Sequence, residues 1–94
     1  MSKNYTYVPL QVESIPTGAE IRINGQVVGS APLKVYVPFG RGFWGDAKGS
    51  AQLTARKGGY MVEGVPLFAV EGGISNEPGG APIRTLTVSL RQAE

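Results

Sequence analysis

Few side chains in this sequence could carry out chemistry. Cysteine and histidine are both absent, which excludes disulfides, thiol nucleophiles, Cys/His zinc sites and histidine-based triads. The serines stand outside any Ser-x-x-Lys or Gly-x-Ser-x-Gly context, so none has the neighbours that activate a hydroxyl group. We therefore expect a protein that is not an enzyme.

The acidic side chains are too widely spread to predict a metal site or a catalytic pair. Asp46, Glu63, Glu71 and Glu77 lie 6 to 17 residues from their neighbours in this set. A calcium loop needs several oxygen ligands at short spacing, so these carboxylates read as solvated surface groups. We predict no bound metal and no cofactor.

The basic side chains do not point to nucleic acid or to a membrane surface. The net charge is +2, and the nine Lys and Arg residues are scattered singly apart from the pair Arg56-Lys57. No window approaches the ~20 apolar residues of a membrane span. The first seven residues lack an apolar segment, so we expect no signal peptide in this chain.

One glycine-rich stretch, Phe39–Gly49, concentrates the aromatic side chains. Its Phe43 and Trp44 could offer flat faces to a sugar, a peptide or another protein, while Arg41 and Asp46 supply directional hydrogen bonds beside them. The same aromatic side chains could instead fold back and plug the open end of a small core. We favour the plug slightly and keep both alternatives open.

A second aromatic group lies on predicted strands. Tyr36 falls on the polar side of its strand, and Tyr5 and Tyr7 stand near the start of the chain, so the three could form an exposed face. Packing of these rings against the stems of Lys34 or Arg22 is the ordinary explanation. Pairing of a sheet edge with a second chain is the alternative.

The elements that position these residues are short strands separated by turns. Asn24-Gly25 lies between alternating apolar residues, which is a strong signal for a type I′ hairpin turn. Other turn residues bracket this hairpin. The positions that we take as defining the fold are Pro16, Gly18, Asn24, Gly25, Gly29 and Pro32.

Alternation of apolar and polar residues continues along the chain and predicts the core. No segment keeps a helical period, so we predict little or no helix and six to seven strands in a small antiparallel β-sandwich. Phe39–Gly49 and Glu71–Pro82 interrupt the alternation and are predicted to be loops. The inward rows are Val8, Leu10 and Val12; Ala19, Ile21 and Ile23; Leu33, Val35 and Val37; Ala51, Leu53 and Ala55; Leu86, Val88 and Leu90.

The stretch Leu10–Leu33 resembles the PEGA domain. That family has a strand ending in Ser-x-Pro-x-Gly-Ala, an alternating strand, an Asn/Asp-Gly turn and a Gly-x-x-Pro sequence. Thr17 stands where the family often has the Glu of its name, and the two predicted loops are longer than the pattern leads us to expect. The positions in register are Pro16, Gly18, Ala19, Gly25, Gly29 and Pro32.

The resemblance implies an all-β sandwich of the immunoglobulin or prealbumin type, appended to bacterial or archaeal envelope and surface proteins without catalysis of its own. We accordingly expect a flexible segment over residues 1–7 and a single domain over residues 8–92. The absence of a signal peptide leaves a cytoplasmic location open beside the cell envelope.

The function that we expect is that of a non-catalytic structural or interaction module, with the loop at residues 39–49 as its contact surface. The alternative is a carbohydrate- or ligand-binding module that stacks its ligand on Trp44, Phe43 and Tyr36. A protein or a cell-wall polysaccharide would be the partner. We expect a monomer or a weak edge-paired dimer.

Overall fold

The structure, a computed structural model, describes residues 5–93. Over that range the chain is all-β, with nine strands and no helix. The all-β prediction is therefore confirmed. The strands are β1 (Tyr5–Ile15), β2 (Glu20–Ile23), β3 (Gln26–Ser30), β4 (Leu33–Arg41), β5 (Ala47–Lys48), β6 (Ser50–Arg56), β7 (Glu63–Val70), β8 (Gly73–Ser75) and β9 (Thr85–Ser89).

Two sheets enclose one core. The four-stranded sheet has the order β5-β4-β1-β9, and the five-stranded sheet has the order β3-β2-β6-β7-β8. Apolar side chains from both sheets form a single buried cluster, as expected when alternate residues of each strand point to the same layer. The largest fully buried side chains of this cluster are Phe39, Leu10, Ile21, Leu53, Leu67, Ile74, Val12 and Val37.

The predicted inward rows form most of this core. Their members are buried except Val8, Leu33 and Leu90, which are half-buried and pack against the cluster. A period of two residues places each row on one face of its strand. The alternation in the sequence is therefore sufficient to assign these side chains to the core.

The topology differs from the prediction in one strand pair. β1 and β9 run parallel, with Gln11 opposite Thr85 and Ile15 opposite Ser89, while all other strand pairs of residues 5–93 are antiparallel. The predicted small β-sandwich is therefore confirmed, and the one correction is that this pair is parallel rather than antiparallel. Local alternation carries no information about strand direction, because inward and outward faces look the same in both cases.

The strand count of six to seven is also wrong, because two short strands lie inside the predicted loops. β5 pairs with Gly40 and Arg41 of β4, and β8 pairs with residues 68–70 of β7. Strands of two and three residues are too short to show alternation. Their pairing depends on neighbours elsewhere in the fold.

The segment Phe39–Gly49 is consequently shorter as a loop than predicted. β4 continues through Phe39 to Arg41, and Phe39 is 1% exposed. It extends the inward row of Leu33, Val35 and Val37 by one more position. The loop proper comprises residues 42–46.

β1 is a central strand over one half of its length and an edge strand over the other. The N–H of Gln11 donates to the carbonyl oxygen of Arg84 (3.0 Å), so odd-numbered residues of β1 direct their backbone groups away from β4. β9 begins only opposite Gln11, at Thr85. Pro9 therefore lies where the missing N–H removes no sheet hydrogen bond, which is the position that proline tolerates in a strand.

The prediction of a flexible segment over residues 1–7 falls partly on residues 1–4, which lie outside the described residues. Tyr5, Thr6 and Tyr7 lie in β1, opposite Gly40, Phe39 and Pro38 of β4.

The hairpin of β2 and β3 turns at Asn24-Gly25, where φ is 50° and 86°. Both angles are positive, as a type I′ turn requires, and glycine adopts such angles without a steric penalty. Farther along, Ile21 pairs with Gly29 while Arg22 pairs with Val27, so Val28 is the extra residue of a β-bulge in β3. The peptide bonds before Pro16 and Pro32 are cis.

Two buried serines form hydrogen bonds with backbone groups. The hydroxyl of Ser14 donates to the carbonyl oxygen of Pro16 (2.8 Å) and accepts from the N–H of Ala19 (3.3 Å). The hydroxyl of Ser75 accepts from the N–H of Glu77 (3.1 Å). These contacts fix the turns after β1 and β8, so their polar groups are satisfied within the fold.

Candidate interaction surfaces

The first candidate surface is the tip of the β4–β5 hairpin, residues 42–46. The N–H of Gly42 donates to the carbonyl oxygen of Asp46 (2.7 Å), and the N–H of Gly45 donates to the carbonyl oxygen of Gly42 (3.0 Å). From β1, the hydroxyl of Thr6 donates to the carbonyl oxygen of Gly45 (2.9 Å). The tip is thus tied both to itself and to the neighbouring strand.

Glycine is required at positions 42 and 45 of this tip for two different structural reasons. Gly45 has φ of 82°, a conformation that residues with a side chain rarely adopt. A Cβ atom at Gly42 would lie 2.5 Å from Oδ1 of Asp46 and 2.7 Å from Cε of Lys48. Glycine at position 42 therefore lets these side chains lie against the backbone of the tip.

Phe43 and Trp44 project from the tip into solvent. Each is 87% exposed, and their rings meet edge to face with centroids 4.8 Å apart. The interpretation of these two residues as a plug for the core is therefore wrong. Phe39 occupies the inward position at the end of β4 instead, and the chain beyond Arg41 has already left the sheet.

The two charged residues predicted beside the aromatic pair are also here. Arg41 donates from Nη2 to the carbonyl oxygen of Tyr5 (3.3 Å), an exposed contact that links β4 to the start of β1. Asp46 closes the tip through its backbone, and its carboxylate lies beside Gly42. The structure therefore places Arg41, Phe43, Trp44 and Asp46 on one hairpin end.

Tyr36 belongs to a second surface. It is 60% exposed on the outer face of the four-stranded sheet, with Nζ of Lys34 5.7 Å from the ring centroid. At about 3.3 Å per strand residue, the five positions from Tyr36 to Arg41 separate it from the tip by roughly 17 Å. The structure does not bring Tyr36 together with Phe43 and Trp44, since neither of these two lines the groove to which Tyr36 belongs.

Tyr36 instead lines a groove of about 440 Å³ between the outer sheet face and the β2–β3 hairpin. Tyr5 and Tyr7 of β1 lie in the same groove, 47% and 53% exposed, with ring centroids 6.4 Å apart. The predicted aromatic face is thus present. The groove is lined by Tyr5, Tyr7, Ile23, Asn24, Gln26, Val28, Tyr36 and Pro38.

Two further groove residues, Asn24 and Gln26, have no sequence signal that predicts them here. The sequence marks Asn24 only as a turn residue, and in the structure its Oδ1 accepts a hydrogen bond from the N–H of Gln52 (2.9 Å). Asn24 and Gln26 are both exposed and line the groove together with the tyrosines. No local signal shows that a hairpin tip will fold beside the outer face of the other sheet.

A third depression of about 730 Å³ lies behind the tip, where the ends of the two sheets separate. It is lined by Thr6 and Val8 of β1, by Ala69 and Val70 of β7, and by the charged residues Asp46, Lys48 and Glu71. Among residues 5–93, no group of three His, Cys, Asp or Glu side chains is arranged to hold a metal ion.

The fold and surfaces define a small two-sheet β module that presents exposed aromatic side chains. The model of the PEGA domain family matches residues 7–43 of this chain, from β1 through β4 to the first aromatic residue of the tip. The match confirms the resemblance over that stretch. Searches of curated proteins and of solved structures found no significant match. Among residues 5–93 there is no helix of the length and hydrophobicity needed to cross a membrane.

Proposed function

We propose that this chain is a non-catalytic interaction module of a surface-associated protein, and that it contacts its partner through the hairpin tip at residues 42–46. The observation that carries the proposal is the exposure of Phe43 and Trp44, each 87%, on a tip held by three hydrogen bonds. Aromatic side chains are frequent energetic centres of protein interfaces. The surface association rests on the PEGA match at residues 7–43.

The physical argument is one of preorganisation. Ordering a flexible loop on binding costs free energy, whereas a tip already fixed by hydrogen bonds loses less. The rings of Phe43 and Trp44 pack on each other, and both remain available to a partner on their other sides. Arg41 and Asp46 are placed to give the contact a direction.

Photo-cross-linking tests the proposal. A photoreactive phenylalanine derivative replaces Phe43 in the protein expressed in its native cells, and the control carries it at Met61, an exposed residue after β6. We expect a discrete cross-linked product at position 43 that excess wild-type module suppresses and excess Trp44→Ala module does not. Equal products at both positions, or equal suppression by both competitors, would refute it.

The tyrosine groove favours a second function, the binding of a neutral saccharide. Tyrosine rings offer faces for sugar C–H groups, and the amides of Asn24 and Gln26 can exchange hydrogen bonds with hydroxyl groups. None of the residues that line the groove carries a charge, which matches an uncharged ligand rather than an acidic one.

Amide chemical shifts distinguish the two functions. Uncharged cell-wall oligosaccharides are titrated into the module, and their binding in the groove is expected to shift residues around Tyr7, Asn24 and Tyr36. The fluorescence of Trp44, the single tryptophan, would then stay unchanged because it lies outside the groove. Shifts confined to residues 42–46 would assign the saccharide to the tip, and an absence of shifts would remove the second function.

A further inference from the structure

The free edges of the two sheets are not equivalent, and the difference singles out β9. A strand edge with unpaired backbone groups is a template for another strand unless something blunts it. In the five-stranded sheet, β3 carries the bulge at Val28. At the opposite edge, β8 has three residues, and its Ile74 accepts a hydrogen bond from the N–H of Ile83 (2.7 Å).

The four-stranded sheet has its own blunted edges. β5 is only two residues long. Where β4 extends past β5, its open side carries Lys34 and Pro38, and the open half of β1 carries Pro9. Lysine and proline are the residues that natural edge strands use against pairing.

β9 has none of these devices. Its five residues, Thr85–Ser89, contain no charge, no proline and no glycine, and they pair with β1 without a register shift. No other strand of residues 5–93 lies on its far side. β9 is therefore the continuous, unblunted edge of the described fold.

The backbone groups of this edge can be assigned individually. Arg84 accepts from the N–H of Gln11 (3.0 Å), and the N–H of Leu90 donates to the carbonyl oxygen of Ile15 (2.8 Å). Because backbone groups alternate sides along a strand, Thr85, Thr87 and Ser89 direct their N–H and C=O groups away from β1. The edge thus presents three donors and three acceptors.

We propose that β9 pairs antiparallel with β9 of a second copy of this chain about a two-fold axis at Thr87. In this register Thr87 faces the partner's Thr87, and Thr85 faces the partner's Ser89. All three donors and all three acceptors of each copy are then satisfied, giving six hydrogen bonds across the axis. The two four-stranded sheets join into one continuous sheet.

The side chains agree with this register. The outer row meets as Thr opposite Thr and Thr opposite Ser, which are favourable cross-strand pairs. On the inner side, Leu86 lies opposite the partner's Val88, so the two cores are continuous. Arg84 faces the partner's Leu90, so no like charges oppose each other within the paired segment.

The choice of a second copy rests on this self-complementarity. In an isologous contact, each residue must fit the residue that the two-fold axis places opposite it. The edge meets this requirement because Thr85 and Ser89, on either side of Thr87, are both hydroxyl residues with an outward-facing N–H and C=O. A five-residue contact is small, so the association is weak and depends on concentration. The inference is independent of the proposed partner of the hairpin tip.

A charge-swap experiment tests the interface. Sedimentation of the full chain is measured over about a hundredfold range of concentration for the wild type, for Thr85→Lys/Ser89→Lys and for Thr85→Glu/Ser89→Glu. Each double variant opposes like charges at both outer pairs, so we expect its dissociation constant to rise at least about tenfold. An equimolar mixture of the two variants is expected to associate more tightly than either alone.

The control adds the same charge to the other sheet through Gln52→Lys/Thr54→Lys on β6, and it is expected to dimerise like the wild type. Thermal melting of every variant verifies that the fold is kept. The proposal is overturned if the wild type stays monomeric at all concentrations. It is equally overturned if the β9 variants dimerise like the control, or if the mixture gains nothing over its components.

Discussion

At the scale of single residues, the three phenylalanine and tryptophan side chains near the end of β4 have different roles. Phe39 is 1% exposed, whereas Phe43 and Trp44 are 87% exposed. Removing a buried phenyl ring loses its transfer free energy and leaves a cavity, and removing an exposed ring does neither. Truncation to alanine should therefore be strongly destabilising at Phe39 and nearly neutral at Phe43 and Trp44.

We predict that Phe39→Ala lowers the free energy of unfolding by about 3–5 kcal/mol. Phe43→Ala and Trp44→Ala are matched controls, and each should change it by about 0.5 kcal/mol or less. Urea denaturation monitored by circular dichroism measures all three. A loss of several kcal/mol in Trp44→Ala would mean that the tryptophan packs on the fold in solution.

The sequence predicts most reliably which individual residues are buried. The rows around Leu10, Ile21, Leu53 and Val88 could be assigned because a period of two is a local property of the chain. Phe39 could not, because glycines follow it and the pattern gives no reason to extend the strand by one more inward position.

At the scale of elements, the hairpin of β2 and β3 shows how far turn chemistry determines geometry. Gly25 has φ of 86° and nothing within 4 Å of a potential Cβ atom, so its only constraint is the backbone angle. Gly58, in the turn after β6, is equally open and lies outside the positive-φ region. The two glycines therefore form a natural comparison.

We predict that Gly25→Ala lowers the free energy of unfolding by about 1 kcal/mol, because a side chain at positive φ is strained. Gly58→Ala should be neutral or stabilising by up to about 1 kcal/mol, since alanine restricts the unfolded chain. Chemical denaturation gives both values. Equal effects of the two substitutions would show that the turn angle at residue 25 is not what limits the hairpin.

The strands and the strand pairing that the sequence does not predict have a common physical explanation. β5 and β8 have two and three residues and owe their existence to β4 and β7 beside them. The parallel pairing of β1 with β9 joins residues more than 70 positions apart, such as Gln11 and Thr85. Neither fact has a local sequence signature, so only the complete fold reveals them.

At the scale of the whole molecule, the positions of the hairpin ends determine which residues meet in the candidate surfaces. The gathering of Arg41, Phe43, Trp44 and Asp46 at one hairpin end could be predicted because these residues lie within six positions of the sequence. The groove could be predicted only in part. Its tyrosines stand on outward strand positions, but the amides of Asn24 and Gln26 arrive from the other sheet.

The family match and the folding unit also have different extents. The match ends at residue 43, yet β2 pairs with β6 through Ile21 opposite Ala55 and Ile23 opposite Leu53, and β1 pairs with β9. Strands outside the match therefore supply part of the buried cluster, namely Ala51, Leu53, Ala55, Leu67, Ile74, Leu86 and Val88. A core this small depends on both of its layers.

We predict that a fragment of residues 1–49 does not fold alone, although it contains the whole match. Without β6 the β2–β3 hairpin has one neighbour fewer, and an isolated two-stranded hairpin is marginal in water. The amide proton spectrum should lack the dispersion of the full chain, and no cooperative thermal transition should appear. Adding the fragment 50–94 should restore both, because it brings β6, β7 and β9. A cooperative transition of residues 1–49 alone would show instead that the matched stretch is an autonomous unit and that the later strands are an addition to it.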